Sequence, residues 1–108
     1  MRPIITAKSK TTGKATKAER ERMDKVAGLG CILTIWKTRR YGTPGVIHHL
    51  LSGRVPGRRN SHDKTICLSP EYHTDGKASI HQLGSAGFEN HHGVSEIDLL
   101  NYTNDLIA

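Results

Sequence analysis

Residues 1–15 (MRPIITAKSKTTGKA) are polar and Lys-rich, with no apolar period, and read as a disordered basic arm. The pattern changes at Thr16. Thr16 followed three residues later by Glu19 fits a capping box, and Met23, Val26 and Ala27 form a short apolar stripe ahead of Gly28 and Gly30. This predicts a helix over 17–27. The apolar run Cys31–Trp36 is followed by Lys37, Arg39, Arg40 and a Gly-Thr-Pro-Gly turn, and its pattern assigns it to no element. Val46-Ile47-His48-His49-Leu50 reads as a strand, bounded by Gly45 and by Ser52-Gly53. Residues 52–63 are rich in Gly, Pro and Arg and form a loop, and Thr65–Leu68 is a second short strand.

Ser69-Pro70 has the form of an N-cap followed by proline at the first helical position, so a helix opens there and is interrupted at Gly76. Ile80, Leu83 and Phe88 predict helical structure resuming near 78–90. Ser95 and Asp98 make a second capping box, opening a last helix over 96–107 with Ile97, Leu100 and Ile107 near one face. The expected class is α+β: a small strand–loop–strand–helix core with flanking helices, one domain over 16–108 behind a flexible arm over 1–15. No internal repeat is visible.

Composition bounds the function. The chain has 108 residues, of which 35% are hydrophobic and 5% aromatic, so the core is thin. A domain of this size buries only roughly 60–65% of its unfolded surface, and a metal or a partner is a natural source of further stability. No run of about 18 apolar residues exists to span a membrane. The opening MRPIITAKSK lacks the apolar block of a secretory signal. Two cysteines, Cys31 and Cys67, cannot build a disulfide framework, so a reduced, cytoplasmic protein is expected, in the host cytoplasm if the chain is phage-encoded.

Charge is more specific than composition. The net charge is +6, but residues 1–64 carry +11 and residues 65–108 carry −5. Such asymmetry points to a polyanion gripped by the first half of the chain, with nucleic acid the leading candidate and a merely solvated basic surface the alternative. Arg39, Arg40, Arg54, Arg58 and Arg59 flank the His-bearing strands and are candidate phosphate contacts, and Lys8, Lys10 and Lys14 add non-specific affinity. Trp36 and Tyr41 are able to stack on bases, although core or rim packing is the commoner use of such residues.

Seven histidines in so short a chain invite a chemical reading. His48 and His49 are adjacent on a strand, so their side chains leave on opposite faces. His73 lies one turn into the helix after Ser69, able to face back onto the hairpin, and His81 follows eight residues later beyond Gly76. Neutral imidazole is the commonest protein metal ligand, and three such ligands with open positions make a catalytic site. Two neighbours on a regular strand do not readily bind one ion together. A division of labour fits better, one imidazole holding a divalent ion and the other activating water against a phosphate. The competing reading has two half-buried strand histidines, neutral and hydrogen-bonded, unrelated to His73 and His81. His91 and His92 precede Gly93 and read as residues closing a helix, favourable to its dipole.

A strand ending in His-His, a loop, a short strand and a helix carrying His resembles the ββα-metal, or HNH, nuclease motif. More particularly, LGCIL at 29–33, VIHHL at 46–50, GRRNSHDKTICLSPEYH at 57–73, ASIHQLG at 78–84 and FENHHG at 88–93 resemble the phage recombination-enhancement (Ref) nucleases over about residues 18–100. The resemblance implies a metal-dependent endonuclease acting on DNA. In that family's terms His49 is the general base, His48, His73 and His81 are ligands of one divalent ion (Zn2+, Mg2+ or Mn2+), and His62 orients the base or touches phosphate. It also implies a RecA-type recombinase filament as a partner.

The chain departs from that pattern twice. Family cysteines for a structural zinc match Cys31, Thr34, Ser69 and Tyr72 here, so three of four are replaced, and Cys31 reads as a small buried apolar residue. The middle Asn of the HNH motif has no evident match before Ile66, where His62, Asp63 and Lys64 stand. Those departures are the support for one alternative, a catalytically inactive nucleic-acid-binding module on the same fold; the other alternative is a small zinc-stabilised interaction protein that engages a recombinase.

Overall fold

The computed structural model describes residues 14–108. Residues 1–13, with Lys8, Lys10 and most of the basic arm, lie outside the described residues. Lys14 is exposed. The order is α1 (Lys17–Leu29), α2 (Ile32–Thr38), β1 (Val46–His49), β2 (Thr65–Leu68), α3 (Pro70–His73), α4 (Ile80–His92) and α5 (Glu96–Ile107). The α+β class expected from the sequence is the class observed.

Both capping boxes form. Thr16 Oγ1 accepts from the Glu19 amide while Glu19 accepts from the Thr16 amide, and Ser95 and Asp98 do the same at α5. Helix α1 runs two residues past the expected stop and ends at Gly30, whose φ of 82° suits glycine. A side chain there would sit 2.6 Å from the Thr43 amide nitrogen, because the chain folds back at this point: Gly42 N–H donates to Leu29 O and Cys31 N–H to Thr43 O. Of the α1 stripe, Val26 is buried, Met23 is half-buried and Ala27 is exposed.

Helix α2 is the element the pattern did not assign. Its seven residues bury Ile32, Leu33 and Ile35 in one cluster with Leu50, Ile66, Leu68, Ile80, Phe88, Val94 and Leu99. Trp36 sits on the rim, 42% exposed and edge-on to Tyr102, and Tyr41 is 54% exposed. Cys31 is buried, as expected of a small apolar residue.

Strands β1 and β2 pair antiparallel with His48 opposite Ile66 and His49 opposite Thr65. Opposite residues share a face. His48 therefore shares the face of Ile66 and the core, while His49 shares that of Thr65. The register is tightly set at its open end, since a Cβ on Gly45 would lie 2.7 Å from the Leu68 carbonyl oxygen. Every residue of β2 is buried, and Arg22 of α1 secures Thr65, donating to its Oγ1 at 2.7 Å and reaching Asn104 Oδ1 of α5 at 2.7 Å.

Helix α3 is a single turn, shorter than the stretch up to Gly76 allows. Helix α4 is kinked at Gly84 (φ 74°) and closed by Gly93 in the left-handed conformation. The inward face of α5 differs from expectation. Glu96, Leu99 and Thr103 are buried, at helical spacing, and Ile97 is 46% exposed. The helix is rotated so that Glu96 points into the protein, and that leaves Ile97 outside. Among the described residues, no helix is long and apolar enough to cross a membrane.

Candidate metal and catalytic centre

Three of the predicted histidines converge. His48 at the end of β1 is 2% exposed, His73 closes α3, and His81 opens α4. One ring nitrogen from each lies within 4.8 Å of the others. His73 Nε2 and His81 Nε2 are 3.1 Å apart, and the His48 ring stands edge-on to both, with centroids at 5.1 and 5.4 Å. The local sequence explains the meeting. Ser69-Pro70 starts a turn straight after β2, so the last residue of that turn faces back over the hairpin. The reversal at Gly76 (φ 119°) then brings the start of α4 beside it. The alternative in which His73 and His81 are unrelated to the strand histidines is therefore not what the fold contains. Three imidazoles so placed can hold a metal ion.

The site keeps His73 and His81 in their ligand form. Burial, followed by the neighbouring His48 and His81, pushes His73 down to about 4. His81 is also lowered, by burial and then His48. Both are neutral at pH 7, as coordination requires.

His49 leaves the strand on the other side and finds His62. Its Nε2 lies 2.9 Å from His62 Nδ1, and the rings meet edge-on. His62 is buried at the end of the long loop, where its carbonyl accepts from Thr65 Oγ1. Burial lowers His49 to about 4, with Arg59 the next cause and His62 and His48 after it. Of the two roles open to His62, the geometry matches orienting the His49 ring.

Ile47, His48, His49, His73, His81, Arg54 and Arg59 line one cleft of about 200 Å³. The cleft joins the three-histidine cluster and His49 to two guanidinium groups; His62 is not among its lining residues. Arg58 lies in the same exposed loop, and Arg39 and Arg40 lie at the end of α2; none of these three lines the cleft.

Two residues that the sequence did not single out hold the site together. Asn60 is buried, and its Nδ2 donates to Leu50 O at 2.8 Å and Ser52 O at 2.9 Å, tying the far side of the loop to the end of β1. Glu96 accepts from the buried His48 ring and from the Leu51 and Ser52 amides. Burial pushes its carboxyl up, but the bonds from His48, Leu51 and Ser52 outweigh this and hold it at about 2. Glu96 stands in the first turn of α5 beside Asp98, and nothing in its local sequence marks it out.

His92 does more than end a helix. Its Nε2–H donates to Ala78 O at 2.8 Å and its Nδ1 accepts from Lys37 Nζ at 2.8 Å, joining α4, α2 and the α3–α4 turn. No family model, curated protein or solved structure matches the chain.

Proposed function

We propose that the chain is a metal-dependent endonuclease of the HNH, or ββα-metal, type, related to the recombination-enhancement nucleases and hydrolysing DNA phosphodiester bonds. The observation that carries this reading is the cleft shared by the His48–His73–His81 cluster, His49 and two arginines, with His62 Nδ1 2.9 Å from the His49 ring. Three imidazole ligands suit zinc or another transition ion, whereas magnesium prefers oxygen and would lean on the substrate phosphate. A divalent ion bound by these residues supplies Lewis-acid stabilisation of the scissile phosphate and the leaving oxygen.

The chain's own residues do the rest. His49 is neutral at pH 7 and available as a base. With its Nε2–H donated to His62 Nδ1, its Nδ1 is left free to accept a proton from water. A base held near 4 is a weak one, and Arg59 is among the causes. A substrate phosphate seated on Arg59 screens that charge, so His49 gains basicity when DNA is bound. Arg54 and Arg59 fix the phosphate at the cleft, while Arg39, Arg40, Arg58, Lys14 and the arm lysines Lys8 and Lys10 extend the grip along the backbone. A RecA-type filament is the partner that the family resemblance brings with it.

Plasmid nicking tests the reading. Cleavage is expected with an added divalent ion and none with EDTA. His49→Ala abolishes cutting with DNA retention intact, and His73→Ala lowers metal content and activity together. If no substrate, naked or RecA-coated, is cut with zinc, magnesium or manganese, the enzyme reading falls. Salt-sensitive DNA retention without cutting would instead identify a binding module.

A further inference from the structure

Glu96 has no part in the reaction above, yet its surroundings are elaborate. It is 1% exposed, the first residue of α5, and its carboxylate accepts from five donors: His48 Nε2 at 2.8 Å, the Leu51 and Ser52 amides at 2.9 Å each, Ser52 Oγ at 2.8 Å and Ser85 Oγ at 3.0 Å. Four of these would serve a purely structural carboxylate that pins the chain after β1 at a helix N-terminus, where negative charge is favoured. The fifth has another consequence. An imidazole has two nitrogens, and the one facing Glu96 is taken. In metal sites the ligating histidine characteristically gives its other N–H to a carboxylate, which fixes the tautomer and raises ligand basicity.

We propose that Glu96 is the positioning residue of the metal centre: by accepting the Nε2 proton of His48 it leaves Nδ1 as the nitrogen presented to an ion shared with His73 and His81. It also sets one negative charge directly behind a donor set that carries none. The α5 N-terminus thereby becomes part of the site although it contributes no ligand. The inference rests on reading the three-histidine cluster as a metal site.

Two measurements on the full chain test it. In zinc-loaded protein carrying 15N-histidine, long-range correlation spectra are expected to show His48 coordinated through Nδ1 and protonated on Nε2. Coordination through Nε2 overturns the proposal, and this arm needs no variant to fold. In cobalt(II) titrations against a competing chelator, Glu96→Gln is expected to bind about 10–100-fold more weakly than the native chain, with shifted d–d bands. Ser85→Ala removes a Glu96 contact without touching His48 and is expected to bind as the native chain does. Native affinity and spectrum in Glu96→Gln, or an equal loss in Ser85→Ala, overturns the positioning role while leaving the metal reading standing. A native chain that takes up neither cobalt nor zinc overturns both.

Discussion

Asn60→Ala tests how the long loop holds its shape. The substitution deletes two hydrogen bonds from one amide, to Leu50 O and Ser52 O. Leu50 is fully buried, so its carbonyl loses a partner where water has poor access, at about 1–3 kcal/mol. Ser52 is half-buried, and water replaces part of what its carbonyl loses, leaving about 0.5–1.5 kcal/mol. The sum is about 3 kcal/mol, a large share of the roughly 5–15 kcal/mol typical of a domain. In a domain of this size that lowers Tm by on the order of 10–20 °C. Urea unfolding followed by far-ultraviolet circular dichroism measures it directly. Asn60→Asp supplies an internal check. It sets carboxylate oxygens against two carbonyl oxygens and is expected to destabilise more than alanine does. A loss below about 0.5 kcal/mol for Asn60→Ala, or an aspartate variant more stable than the alanine one, would refute the argument that donation from position 60 organises the loop.

Two further outcomes follow from the charges. His49 and His73 take up protons only near pH 4 in the fold, against about 6.5 in an unfolded chain, so between these values the unfolded state binds more protons. The metal-free protein is therefore expected to lose stability as pH falls from 6.5 to 4, with Glu96 still ionised throughout that window; a urea midpoint in EDTA that is higher at pH 5 than at pH 7.5 would contradict this. Arg59→Ala removes a guanidinium that lines the cleft and, if that group grips phosphate as proposed, is expected to reduce the slope of log affinity against log salt by about one, read from filter retention of duplex DNA; an unchanged slope would remove Arg59 from the proposed DNA contacts.

What could be read from the chain divides by the range of the interaction. The boxes at Thr16 and Ser95, the start at Ser69-Pro70 and the opposed faces of His48 and His49 are local, and each is written in neighbouring residues. Helix α2 escaped because seven residues rich in Ile and Thr, with a Trp, carry no decisive period, and its helical state is set by packing against Leu50, Ile66 and Leu68. Asn60 escaped because a loop has no period to place it. Glu96 escaped because its partner lies 48 residues away, and the same contact explains why Ile97, next to it, is left outside while Leu100 of the expected face still packs against the core. The gathering of His73 and His81 was readable only as far as Ser69 and Gly76 announced two chain reversals.

The hairpin alignment has a genetic corollary. His48 and His49 are chemically identical side chains, and only the pairing of Val46 with Leu68 decides which of them meets Glu96 and which meets His62. Deleting or inserting one codon between Gly45 and His48 would turn each ring to the opposite face of the hairpin without altering the histidine count. Only substitutions that keep the length preserve this alignment, whereas the exposed stretch over 53–59 is where added or lost residues are expected to be best absorbed.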